Sequence, residues 1–153
     1  MYRKILVPVD GSDASQLGLQ HAILLAKDQK AVLRLLHVVH DYLLVEGGFA
    51  LAGSDQLLKD LVARGQSILS EAAGSARRQG IEAETECVEA PLGPVGEAIT
   101  EYAKQWQPDL IVIGTHGRRG VRRLVMGSDA EYLLRTATAP VLLLRATKAP
   151  PKD

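Results

Sequence analysis

A chain of 153 residues, 46% apolar and 24% charged, has the size and balance of one folded domain and excludes an intrinsically disordered polymer. Lysine plus arginine and aspartate plus glutamate number 18 each, so net charge gives no reason to seek nucleic acid or an anionic membrane, and any charge-driven function is local. The longest apolar runs, such as Leu35 to Val39 and Val141 to Leu144, fall far short of the roughly 20 residues that cross a bilayer.

In chain order, Ile5 to Val9 reads as a strand that stops at Asp10-Gly11-Ser12, and a helical pattern follows from about Asp13 to Lys30 with Ser12 or Asp10 as its cap. Val32 to Val39 is apolar except at Arg34 and His37, the pattern of a strand covered on both faces of a parallel sheet. His40 to Ser54 holds Gly47, Gly48 and Gly53 and reads as a partly apolar connection. From Asp55 to Arg78 apolar and small residues recur with the period of an amphipathic helix.

Ile81 to Val88 alternates, with Ala83, Thr85 and Cys87 on one face and Glu82, Glu84 and Glu86 on the other, which suits an edge strand guarded by charge. After the turn Pro91-Leu92-Gly93-Pro94, the residues Val95, Ile99, Tyr102 and Trp106 share one side of a helix that ends before Pro108. Asp109 to Ile113 is a fourth strand. Gly127 or Ser128 opens a last helix carrying Ala130, Leu133, Leu134 and Ala137, and Pro140 to Arg145 is a fifth strand. Residues 1–146 thus form one domain and 147–153 a frayed tail. The single cysteine, Cys87, cannot form an internal disulfide, and the amino terminus opens on a strand-like run and not a signal peptide; both point to a reducing cytoplasm.

Alternating strands and helices predict an α/β fold: a single doubly wound open sheet of five mainly parallel strands with helices on both faces. Ligands of such sheets sit beyond the carboxyl ends of the strands where strand order reverses, here the loops that follow Asp10 and Gly114. The segment Gly114 to Ser128 combines glycines that let backbone approach a ligand, four arginines, and a helix start at Gly127-Ser128 whose amides lack partners. A phosphate chain satisfies all three.

The spacing Gly114, two residues, Gly117, nine residues, Gly127-Ser128 resembles the ATP-binding signature of the universal stress protein family. The resemblance extends through Lys4 to Ser12, Leu36 to Val39, Asp109 to Gly114 and Pro140 to Leu144. It implies a Rossmann-like fold of the adenine nucleotide alpha hydrolase-like kind, with ATP or another adenine nucleotide as ligand and Mg2+ held mainly by the phosphates. By matched position, it implies that Pro8, Val9 and Val38 line the adenine slot and that Asp10 and Gly114 meet the ribose. Gly117, Gly127 and Ser128 would hold the phosphates, with His116 nearby and Thr115 contributing through the loop. It further implies a role in survival under stress and a homodimer formed through the last strand, Pro140 to Arg145. This sequence departs at Asp129-Ala130, where ATP-binding relatives present an apolar residue and then a hydroxyl. Facing away, Asp129 is a good helix-start residue; facing the site, it repels a triphosphate or helps to hold a metal.

Other machinery is not supported. No Walker lysine follows a glycine loop, and His21, His37, His40 and His116 show no metal-ligand spacing. Cys87 reads as a small core residue, and His37 as a sheet residue with a satisfied hydrogen bond. Three readings follow in order: a regulatory nucleotide-binding module, read by its dimer mate or another protein; a dimeric interaction module without nucleotide; and an enzyme no stronger than a slow ATPase.

Overall fold

The apolar run that opens the sequence becomes β1 (Lys4–Pro8), and Ile5, Leu6 and Val7 within it are fully buried. The computed structural model describes residues 1–40, 54–90, 93–115 and 127–145. Beyond β1 it contains α1 (Asp13–Gln29), β2 (Val32–Val39), α2 (Ser54–Arg78) and β3 (Ala83–Glu89). The second half contributes α3 (Val95–Trp106), β4 (Leu110–Thr115), α4 (Ser128–Thr136) and β5 (Val141–Arg145). The strands form one five-stranded sheet in the order β3-β2-β1-β4-β5, and every pairing is parallel.

Period-two alternation sorts the core into two layers. Ile5 and Val7 of β1, with Leu33 and Leu35 of β2, pack under Leu19, Ala22 and Ile23 of α1 and Leu69, Ala72 and Ala76 of α2. Leu6, Leu36, Ile111 and Ile113 face the other way, against Ile99 and Ala103 of α3 and Ala130 and Leu133 of α4. Each fully buried leucine or isoleucine contributes about 1.5–3 kcal/mol. Both layers are needed to hold the central strand, since β1 has no polar face.

The helix ends follow local chemistry. α1 ends where Lys30 takes a left-handed conformation, φ 54, and its amide returns to Ala26 O. α3 ends in the same way at Gln107, whose φ is also 54. The predicted fourth strand begins one residue early: Asp109 lies just before β4, where its Oδ2 accepts from Arg3 N at 2.7 Å and Lys4 N at 2.9 Å, tying the starts of β1 and β4. The third strand begins at Ala83 and not Ile81, and it is an edge, as its glutamates suggested.

Two helix residues differ from their predicted surroundings. Leu134 is 46% exposed, because Leu133 takes the inward position and its neighbour lies about 100° further round the helix. Trp106 is half-buried, with the Arg34 guanidinium 4.4 Å and the Lys4 ammonium 5.3 Å from its ring centre. Arg34 also donates to Tyr102 Oη at 2.9 Å and pairs with Glu84, so the polar break in β2 is satisfied across the edge of the sheet. The predicted glycine-rich connection at 41–53, most of the segment 114–128, the Pro91-Leu92 part of the turn and the tail at 147–153 lie outside the described residues.

Candidate functional site

β1 and β4 are neighbours, yet the chain leaves β1 for β2 on one side while β4 pairs with β5 on the other. The segments beyond their carboxyl ends therefore diverge and leave a crevice. Pro8 lines it from the end of β1, Val9 and Asp10 from the turn that follows, Leu36, His37 and Val38 from β2, and Ile113 and Gly114 from β4. Gly127, Ser128, Asp129 and Ala130 close it from the start of α4, and Val95 and Ile99 from α3.

The turn after β1 is held by its own side chains. Asp10 Oδ1 accepts from Ser12 N at 2.8 Å, Ser12 Oγ accepts from Ser15 N at 3.1 Å, and Ser15 Oγ accepts from Asp10 N at 3.2 Å. Both cap candidates are thus used, Ser12 for the helix and Asp10 for the turn, and Gly11 between them has φ +79, which favours glycine. Val9 is pinned at both ends: its amide donates to Leu36 O at 2.8 Å and its carbonyl accepts from His37 Nδ1 at 2.8 Å. His37 is the satisfied sheet histidine the sequence suggested, and it also lines the crevice.

Gly114 has a structural reason of its own. A Cβ there would lie 1.8 Å from Ala14 O, and a Cβ at Gly18 would lie 3.1 Å from Gly114 N, so α1 runs directly over the end of β4. Thr115 does not line the crevice. It is buried, and its hydroxyl donates to Leu144 O at 3.3 Å. His116 and Gly117 lie outside the described residues. Gly127 is the N-cap of α4, with φ −60 and ψ 146, and brings no side chain to the first amides of that helix. Those amides and the helix dipole give the crevice an end suited to an anion.

Asp129 is half-buried and turned toward α3, where its Oδ1 accepts from Gly96 N at 3.1 Å. The N-cap of α3 is Pro94, which has no side-chain acceptor, so Asp129 caps α3 from the neighbouring helix. A Cβ at Gly96 would lie 2.8 Å from Tyr132 Cβ, so the two helix starts are in close contact. Sequence reasoning missed Ser15, His37, Val95 and Ile99 as crevice residues. Val95 and Ile99 carried only a core pattern, whereas Ser15, three residues after Ser12, carried a capping signal.

Cys87 lies opposite His37 in the β2–β3 register, half-buried under Gly65 of α2. Burial pushes its thiol pKa up, and the nearby Glu89 and Glu86 add to the shift.

The profile described as "Universal stress protein family" matches residues 1–145. A universal stress protein of Methanocaldococcus jannaschii is 36% identical over 149 residues, covering 97% of this chain and 85% of its own. A crystal structure of a universal stress protein family member from Burkholderia pseudomallei is 31% identical, with a TM-score of 0.73 over 93% of this chain and 95% of that one. The universal stress protein of Archaeoglobus fulgidus, solved in complex with dAMP, shares the fold at 24% identity and a TM-score of 0.64, covering 93% of this chain and 97% of its own. With a profile match from the first residue to the end of β5 and relatives similar along nearly their whole lengths, this chain belongs to the universal stress protein family.

Proposed function

We propose that the protein is an adenine-nucleotide-binding regulatory module of the stress response, taking ATP with Mg2+ held mainly by the phosphates, and acting as a homodimer in the cytoplasm. The observation that carries this reading is the crevice at the strand-order switch. It joins an apolar slot to a helix start whose N-cap, Gly127, gives its first amides no side-chain acceptor, and its lining includes seven residues suggested by the family resemblance: Pro8, Val9, Asp10, Val38, Gly114, Gly127 and Ser128. The complex of the Archaeoglobus fulgidus protein with dAMP supports an adenine nucleotide as the ligand class.

In this reading the adenine lies against Pro8, Val9 and Val38, the ribose meets Asp10, and the phosphates approach Gly127 and Ser128. Bound nucleotide stabilises one arrangement of the loops, which a partner reads. Dimer formation is supported by the sheet edge. Ile111 pairs with Val141 and donates its amide to Pro140 O at 2.9 Å, which turns the backbone groups of Leu142 and Leu144 toward β4. Those of Val141, Leu143 and Arg145 therefore point to the open edge, where a second copy of β5 would find them.

The test is to purify the protein without added nucleotide and identify what it retains by mass spectrometry, then to titrate ATP calorimetrically. Adenine nucleotide at near-stoichiometric occupancy is the expected result. Protein that retains none and shows no heat with ATP overturns the reading.

A further inference from the structure

The departure at Asp129 puts an acid in the lining of the crevice, next in sequence to the helix start that the proposed phosphates approach. Asp129 lines the crevice beside Gly127 and Ser128, at the start of α4. Its carboxylate is not free to swing away: Oδ1 accepts from Gly96 N at 3.1 Å and supplies the side-chain cap that Pro94 cannot give α3. The close contact of Gly96 with Tyr132 keeps the two helix starts together, so the position of the acid is set by backbone. The charged carboxylates of the crevice among the described residues are Asp10 and Asp129, and Asp10 belongs to the turn at the opposite wall.

Resting on the nucleotide reading above, we infer that Asp129 makes the crevice select nucleotides by the charge of their phosphate end. A helix start attracts an anion, but a fixed carboxylate in its first turn offsets that attraction, and the offset grows with the charge on the ligand. Adenosine monophosphate, with its single phosphate, is held unaided. A triphosphate is disfavoured until a divalent cation neutralises part of its charge, so this chain takes the metal complex of ATP and not free ATP. Asp129 acts here as a specificity-determining residue, by charge, while its bond to Gly96 is a separate structural duty.

Those two duties separate in two variants. Asp129→Asn removes the charge and keeps an oxygen that can accept from Gly96 N, whereas Asp129→Ala removes both. Calorimetric titrations of AMP and of ATP, each with Mg2+ and with chelator, on the native chain and both variants read the effect. In the native chain, chelation is expected to weaken ATP about tenfold relative to AMP, and both variants should abolish most of that penalty. Thermal unfolding of each variant checks that it is folded. An ATP-to-AMP ratio without metal that is the same in the native chain and the Asn variant overturns the inference, as does a ratio that changes in the Ala variant alone. If the native chain binds neither nucleotide, the functional reading itself fails, a result distinct from either of these.

Discussion

Two glycines at the crevice and one cysteine beneath α2 owe their identities to different forces, and substitution separates them. Gly114 is required by packing, since any side chain meets the carbonyl of Ala14. Gly114→Ala should therefore lower stability by about 1–3 kcal/mol in urea denaturation, the range for overpacking a close contact. Gly127 has an ordinary backbone conformation, so Gly127→Val should fold normally yet abolish nucleotide binding by filling the phosphate position. Calorimetry on the folded variant checks this, and unchanged affinity removes the helix start from the site. Cys87 is a packing residue with a raised pKa, from burial first and then Glu89 and Glu86, so its thiol should alkylate more slowly in the native protein than in urea. Cys87→Ala should cost at most about 1–2 kcal/mol and leave binding intact. The glycines were legible in the sequence as a spacing, but not their separate reasons, because the partner of Gly114 lies a hundred residues away in α1. Asp129 was ambiguous in the same way, since its partner, Gly96, belongs to another helix.

At the scale of elements, apolar runs and turn residues were enough to read the helices and strands of the described residues in order, because each run keeps the period of its own structure. Boundaries were less legible where a tertiary contact decides them. Asp109 looks like the first residue of a strand, yet its side chain is spent on the amides of Arg3 and Lys4. Those bonds hold its carboxyl below the usual carboxylate range. A depressed folded-state pKa contributes stability above the unfolded value of about 3.9 and loses it as pH falls through the folded one. Asp109→Ala should thus be less stable than the native chain at pH 7, and the difference should shrink on acidification below about pH 4. Denaturation curves at several pH values check the sign; a difference that grows in acid contradicts the assignment.

For the whole molecule, β5 is the element with consequences for assembly. Its strand direction and apolar character were legible in the sequence, but not which amides face outward, since that depends on the register with β4. With Ile111 N on Pro140 O, the amide of Leu143 points to the open edge and that of Leu142 into the sheet. Leu143→Pro should therefore spare the fold and weaken a β5–β5 dimer. Losing one ladder bond from each protomer, at about 1 kcal/mol apiece, raises the dissociation constant roughly thirtyfold. Leu142→Pro should damage the monomer itself. Analytical ultracentrifugation of both variants distinguishes the two effects, and a native chain that is monomeric at micromolar concentration removes the dimer altogether.

Because β1 is the middle strand, ribosomal synthesis delivers one wall of the crevice long before the other. Val32 N reaches Arg3 O soon after β1 is made, but Asp109 N reaches Lys4 O only when most of the chain exists. At about 5–20 residues per second, β1 spends on the order of ten seconds with one flank open before β4 is complete. Through that interval the nascent chain carries half a crevice, and a ligand can stabilise only the finished protein, by mass action. Meanwhile the exposed glutamates Glu84 and Glu86 of β3, made well before β4, guard the one sheet edge that is already in its final form.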